Sequence, residues 1–159
     1  STSQKSTGVA KKHYRTWSKE HNINNIETLA EYYNVKYNDV ERYELLKHYV
    51  KSIDSGMMSP LYGFDKYEEY RDRIENELVG LTAASGIQIK SQSYHFLERV
   101  FGTWHDPKHN DEIRNGVSLE DIKDAILNTH GGDSILHSIE ICGVTINPHT
   151  GNLIQVNPK

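Results

Sequence analysis

Cysteine is almost missing from this sequence. Cys142 stands alone among 159 residues, which excludes an internal disulfide and a cysteine-based zinc site. A lone cysteine beside a strand reads as a small core residue. Long apolar runs are lacking as well: no stretch approaches the roughly 20 residues of a membrane span, and no signal-peptide pattern opens the chain. Excess positive charge is also absent, with 18 Lys and Arg against 22 Asp and Glu for a formal charge of −4. From Ile89 to the end the balance is six against nine, or −3. A protein that coats nucleic acid carries a basic face, so the charge argues against non-specific coating. RNA recognition, if present, is confined to a small cleft with a few arginines. There is no internal repeat. The absence of a Gly-rich nucleotide loop weighs against an ADP-ribosyltransferase or NAD hydrolase.

What is present suits a soluble globular chain with a modest core: 36% hydrophobic and 25% charged residues. The length fits one ordinary domain, or a small domain with a helical attachment. Residues 1–19 read as a flexible polar N-terminus, resembling a linker from a longer polypeptide, with a weakly helical basic stretch from Val9 to Glu20. Residues 20–80 read as a helical segment serving as linker or docking surface. Its apolar stripes run Ile26, Leu29, Ala30, Tyr33, then Val40, Tyr43, Leu46, Val50, then Tyr67, Tyr70, Ile74, Leu78. Ten tyrosines favour packing over base stacking.

Past Gly80 the pattern becomes α+β, over residues 81–159. Ile87–Ile89 suggests a short strand, and Gln92-Ser93 leads into a helix from Tyr94 to Phe101. Ser118 caps a helix from Leu119 to Asn128, ended by His130-Gly131-Gly132. Ile135 to Ile141 alternates as a strand. A closing hairpin turns through Pro148-His149-Thr150-Gly151. Strict alternation puts Val144, Ile146, Ile154 and Val156 on the face toward the helices. Thr145, Asn147, Gln155 and Asn157 then share the other face, which is either solvent or the floor of a cleft.

His95 and Arg99 lie four residues apart on one helical face. Cleavage of RNA by its own 2′-hydroxyl needs a base near neutral pKa, an acid for the leaving oxygen and charge for the phosphorane. Histidine suits the first or second role. The arginine fork suits the third. The polar sheet face could meet this pair, and no metal or cofactor is required. The bland alternative has His95 packed on the sheet and Arg99 paired with Glu98 or Glu120. The loop His105–Asp111 holds two histidines and two aspartates, readable as zinc ligands, as a substrate-contacting loop through Lys108 or His109, or as a solvated loop. The helix capped by Ser118 has an N-terminus that can donate to a phosphate. Asn147-Pro148 reads first as a turn signal.

The block Gly63-Phe64, Leu78-Val79-Gly80, Gly86-Ile87, His95–Val100, Arg114–Asp121, Val144–Pro148, Thr150-Gly151 and Leu153–Pro158 resembles the C-terminal domains of phage minor head (Mu F-like) proteins and bacterial polymorphic toxins. Such tails are similar to the barnase–EndoU–colicin–RelE-like group of small ribonucleases. The resemblance covers roughly residues 60–159. It implies helices packed on a small four-stranded antiparallel sheet. It implies His95, Arg99 and Thr145 as the catalytic set, with Arg114, Asn147 and Gln155 contacting substrate.

The function implied is a metal-independent endoribonuclease toxin domain acting on cellular RNA, transfer RNA among the candidates. It would be carried by a larger secreted or virion polypeptide into the cytoplasm of a target bacterium and neutralised by a cognate immunity protein. A non-catalytic phage structural or interaction domain of the same fold is the alternative.

Overall fold

The computed structural model describes residues 26–59, 61–103, 113–129, 135–137 and 142–158, with the backbone alone for 135–137 and 142. The polar N-terminus, the His105–Asp111 loop, His130 and the side chains of His137 and Cys142 lie outside the described set. The elements in chain order are α1 (Ile26–Tyr32), α2 (Val40–Asp54), α3 (Phe64–Glu77), β1 (Ser91–Gln92), α4 (Tyr94–Phe101), α5 (Leu119–Asn128), β2 (Ile135–His137), β3 (Cys142–Ile146) and β4 (Asn152–Pro158). Among the described residues no helix is long and apolar enough to cross a membrane.

The described residues fall into two compact units: 26–59 and 61–68 with 103 and 113, and 69–102 with 114–129, 135–137 and 142–158. The division lies within α3.

In the first unit Asp39 caps α2, its carboxylate accepting the Arg42 backbone N–H at 3.3 Å. The Arg42 guanidinium donates to Glu68 at 2.6 and 3.0 Å and to the Asn34 carbonyl at 2.8 Å. The expected stripe on α2 is shifted. Tyr43, Leu45, Leu46, Tyr49 and Ile53 are buried, whereas Val40 is 70% exposed, because it opens the helix before the packed face begins. Tyr49 packs against Phe64 and Tyr67, with ring centroids 5.7 and 5.4 Å apart. Tyr43, Tyr49 and Tyr67 are thus packing residues, buried for the dispersion their large faces supply.

The second unit is α+β: helices on a four-stranded sheet of order β1-β4-β3-β2. The sheet is mixed rather than wholly antiparallel. β3 pairs antiparallel with both β2 and β4, but β1 pairs parallel with β4 through Ser91↔Asn152 and Gln92↔Leu153. Helices intervene between these two strands, and a long connection is what parallel pairing requires. The first edge strand also sits later than expected. Gln88 makes only an isolated bridge to Thr82, and the ladder begins at Ser91.

α4 packs on β4 and α5 on β3, burying Phe96, Leu97, Val100, Ile122, Ala125 and Ile126 over Val144, Ile146, Leu153 and Val156. The expected alternation fails at one point. Thr145 pairs with Gln155 but Ile146 pairs with Leu153, so β4 carries an extra residue at Ile154. This bulge buries Leu153 in place of Ile154, since an inserted residue reverses the alternation between the two sides of the bulge while Gln155 and Val156 keep their expected faces.

Candidate active site

Ser93 builds the site. Its backbone N–H donates to the Leu153 carbonyl at 2.9 Å, extending the β1–β4 pairing by one bond. Its hydroxyl donates to the Ile154 carbonyl at 2.8 Å and accepts the Phe96 backbone N–H at 3.0 Å. The same side chain therefore caps α4 and ties the helix start to β4. The helix then runs with Phe96, Leu97 and Val100 in the core, leaving His95, Glu98 and Arg99 directed along β4.

Three side-chain contacts define the cluster. His95 Nδ1 lies 2.9 Å from Glu98 Oε1. On its other side, His95 Nε2 lies 3.3 Å from Gln155 Oε1. Arg99 Nη1 donates to Asn157 Oδ1 at 3.1 Å. The His95 side chain is 41% exposed and that of Glu98 is 14% exposed, so the ring reaches solvent while the carboxylate behind it is shielded. A carboxylate only accepts, so Nδ1 carries hydrogen. With the Gln155 oxygen facing Nε2, both ring nitrogens donate, as in an imidazolium. With the amide turned over, its N–H₂ donates to a neutral ring whose Nε2 lone pair is directed outward.

Of the residues expected from the sequence, His95 contacts Gln155, whereas Arg99 bonds to Asn157 on the same strand. Thr145 stands directly opposite Gln155 across the β3–β4 ladder and shares its face, one cross-strand neighbour from the histidine. Arg114 is held near the far end of α4. The Val117 backbone N–H donates to the Val100 carbonyl at 3.0 Å, and a Cβ added to Gly102 would meet the Arg114 carbonyl oxygen at 2.6 Å. Asn147 serves the hairpin turn. Its Oδ1 accepts from the backbone N–H groups of His149 and Thr150 at 2.8 and 3.2 Å, an Asx turn.

Glu98 and Asn157 complete the cluster, although the sequence pattern does not single them out for it. Glu98 follows His95 by three residues, a helical contact spacing, and that spacing is the signal that marks it as a partner of His95 rather than of Arg99. Glu120 instead lies 3.6 Å from Arg73. Asn157 is legible as a member of the polar face, but its partner is not. Ser118 caps α5 as expected, accepting from the Asp121 backbone N–H at 3.1 Å. Among the described residues no group of His, Cys, Asp and Glu is arranged to hold a metal ion.

No family model, curated protein or solved structure matches this chain.

Proposed function

We propose that the α+β unit is a metal-independent endoribonuclease of the toxin type. One observation carries the reading. A solvent-reaching imidazole is bonded through Nδ1 to a shielded carboxylate and lies one helical turn from an arginine. In this reading substrate displaces the Gln155 amide from Nε2, and His95 takes the proton of the ribose 2′-hydroxyl. The oxygen then attacks the adjacent phosphorus, the bond to the 5′-oxygen breaks, that oxygen takes a proton from water, and a 2′,3′-cyclic phosphate forms. Glu98 keeps the ring in the tautomer that presents Nε2, and Thr145 offers a hydroxyl to the phosphate from the facing strand. The resemblance to polymorphic-toxin tails supplies the biological setting: delivery by a larger secreted or virion polypeptide, action in the target cell's cytoplasm, and a cognate immunity protein.

A second reading, a non-catalytic interaction domain of the same fold, draws on Arg99. That residue is only 8% exposed and bonds to Asn157, as a residue holding α4 to β4 would be.

The experiment is incubation of the full chain and its His95→Ala variant with total bacterial RNA in excess EDTA, with fragment ends mapped. Discrete fragments ending in 2′,3′-cyclic phosphate are expected from the parent protein, with the variant slower by roughly 10²–10⁴-fold. Intact RNA from both, with native circular dichroism, establishes the interaction-domain reading instead.

A further inference from the structure

Arg71 is a cation held against the first residue of α4, the helix that carries His95. Its Cζ lies 4.5 Å from the centroid of the Tyr94 ring, and Tyr94 is the residue immediately before His95. Arg71 Nη1 is buried with no hydrogen-bond partner among the described residues. The other α3 arginine, Arg73, is paired with Glu77 at 2.7 Å and lies 3.6 Å from Glu120. Arg42 is paired with Glu68. Arg71 has an acid one turn along its helix, but Glu75 accepts from Gln92 Nε2 at 3.0 Å instead. The same Gln92 amide donates to the Arg71 carbonyl at 2.9 Å, which ties this turn of α3 to β1. A guanidinium held over an aromatic ring, with no carboxylate partner among the described residues, is preorganised to receive an anion. Arg99 is poorly suited to that task, being buried and bonded to Asn157.

We infer that Arg71, stacked on Tyr94, is the phosphate-binding residue of the substrate site, taking a phosphodiester oxygen of a single-stranded RNA beside the His95 imidazole. The inference rests on the ribonuclease reading of that histidine, and Tyr94 acts as the positioning residue that holds the guanidinium in place.

The test is fluorescence anisotropy with a labelled 2′-O-methyl oligoribonucleotide of mixed sequence, which binds but lacks the nucleophile. The full chain is compared with its Arg71→Gln, Arg71→Lys, Tyr94→Leu and His95→Ala variants in EDTA across a salt series. Loss of one charge-assisted contact predicts roughly tenfold weaker binding for Arg71→Gln. Its log Kd against log salt slope is expected to fall by about 0.7, the contribution of one phosphate on a single strand. Arg71→Lys restores the slope but not the full affinity, because an ammonium cannot stack or fork. Tyr94→Leu weakens binding with the charge still present. Circular dichroism and urea midpoints confirm that each variant is folded.

Equal affinity for Arg71→Gln and the parent overturns the inference, as does a parent protein that does not bind the oligonucleotide. If Arg71→Gln loses binding while His95→Ala still cleaves RNA at the parent rate, the phosphate site stands and the role given to His95 falls. If only His95→Ala is impaired, the reverse holds.

Discussion

His95 and Glu98 are joined across one turn of α4, Nδ1 to Oε1 at 2.9 Å, and this bond determines which ring nitrogen carries hydrogen. Glu98→Ala is expected to release the preference. Long-range nitrogen–proton correlations on the ring should show the Nδ1–H form in the parent and a mixture of both tautomers in the variant. On the proposed ribonuclease reading, RNA cleavage should slow by about 10²-fold, the lower end of what a positioned acid/base group supplies. Identical ring spectra in the two proteins would remove Glu98 from the site.

Ser93 joins two elements with one side chain. Ser93→Ala deletes the cap to Phe96 N–H and the bond to the Ile154 carbonyl, and should cost about 1–2 kcal/mol in urea unfolding. Ser93→Asn keeps a strong capping oxygen and should recover part of the loss. Equal stability of all three proteins would show that α4 is held on β4 by apolar packing alone.

Gly151 adopts φ +72° where the hairpin enters β4, and an added Cβ there would collide with the Gln88 carbonyl oxygen. Gly151→Ala is therefore expected to lose about 1–3 kcal/mol. Gly86→Ala is the control: φ is +92° but nothing lies within 4 Å of an added Cβ, so only backbone strain remains. The thermal midpoint should fall further for Gly151→Ala than for Gly86→Ala.

The buried Tyr49 hydroxyl donates to the Tyr62 carbonyl at 2.8 Å. Burial, with Tyr33 adding to it, raises its pKa well above the ordinary 10.0. The unfolded chain ionises this group near pH 10, whereas the folded protein keeps it neutral. Tyr49 thus contributes stability that is complete below about pH 10 and declines as pH rises beyond that value. The urea midpoint should drop in the alkaline range for the parent and drop less steeply for Tyr49→Phe. At neutral pH the phenylalanine variant should be about 1 kcal/mol less stable, having lost the bond to the Tyr62 carbonyl.

The readable part of the site is the part that depends on near neighbours in sequence. The Ser93 and Ser118 caps, the apolar side of α4 and the His95–Arg99 face follow from helical spacing and from side-chain oxygens that reach only three residues on. The link from His95 to Gln155 spans 60 residues, and its geometry depends on a register that one bulge shifts. Strict alternation correctly places Gln155 on the polar face but chooses Ile154 for the core, where Leu153 lies. Asn147 shows a similar limit, because the same short amide that marks a contact residue also closes turns.

By itself the sequence determined the local structure of this protein: where its helices begin, which of their sides are apolar, that a helical stretch precedes an α+β one, and that a histidine and an arginine share a helix face. These follow from periodicity and capping, which act over one or two turns. The tertiary structure alone decided that β1 joins β4 in parallel, that Glu98 bonds to His95, that Arg99 is drawn into the unit against Asn157, and that Arg71 lies over the Tyr94 ring with no carboxylate partner among the described residues. Each of these is a choice among several available partners, settled by which side chains the packed core brings within hydrogen-bonding or stacking distance.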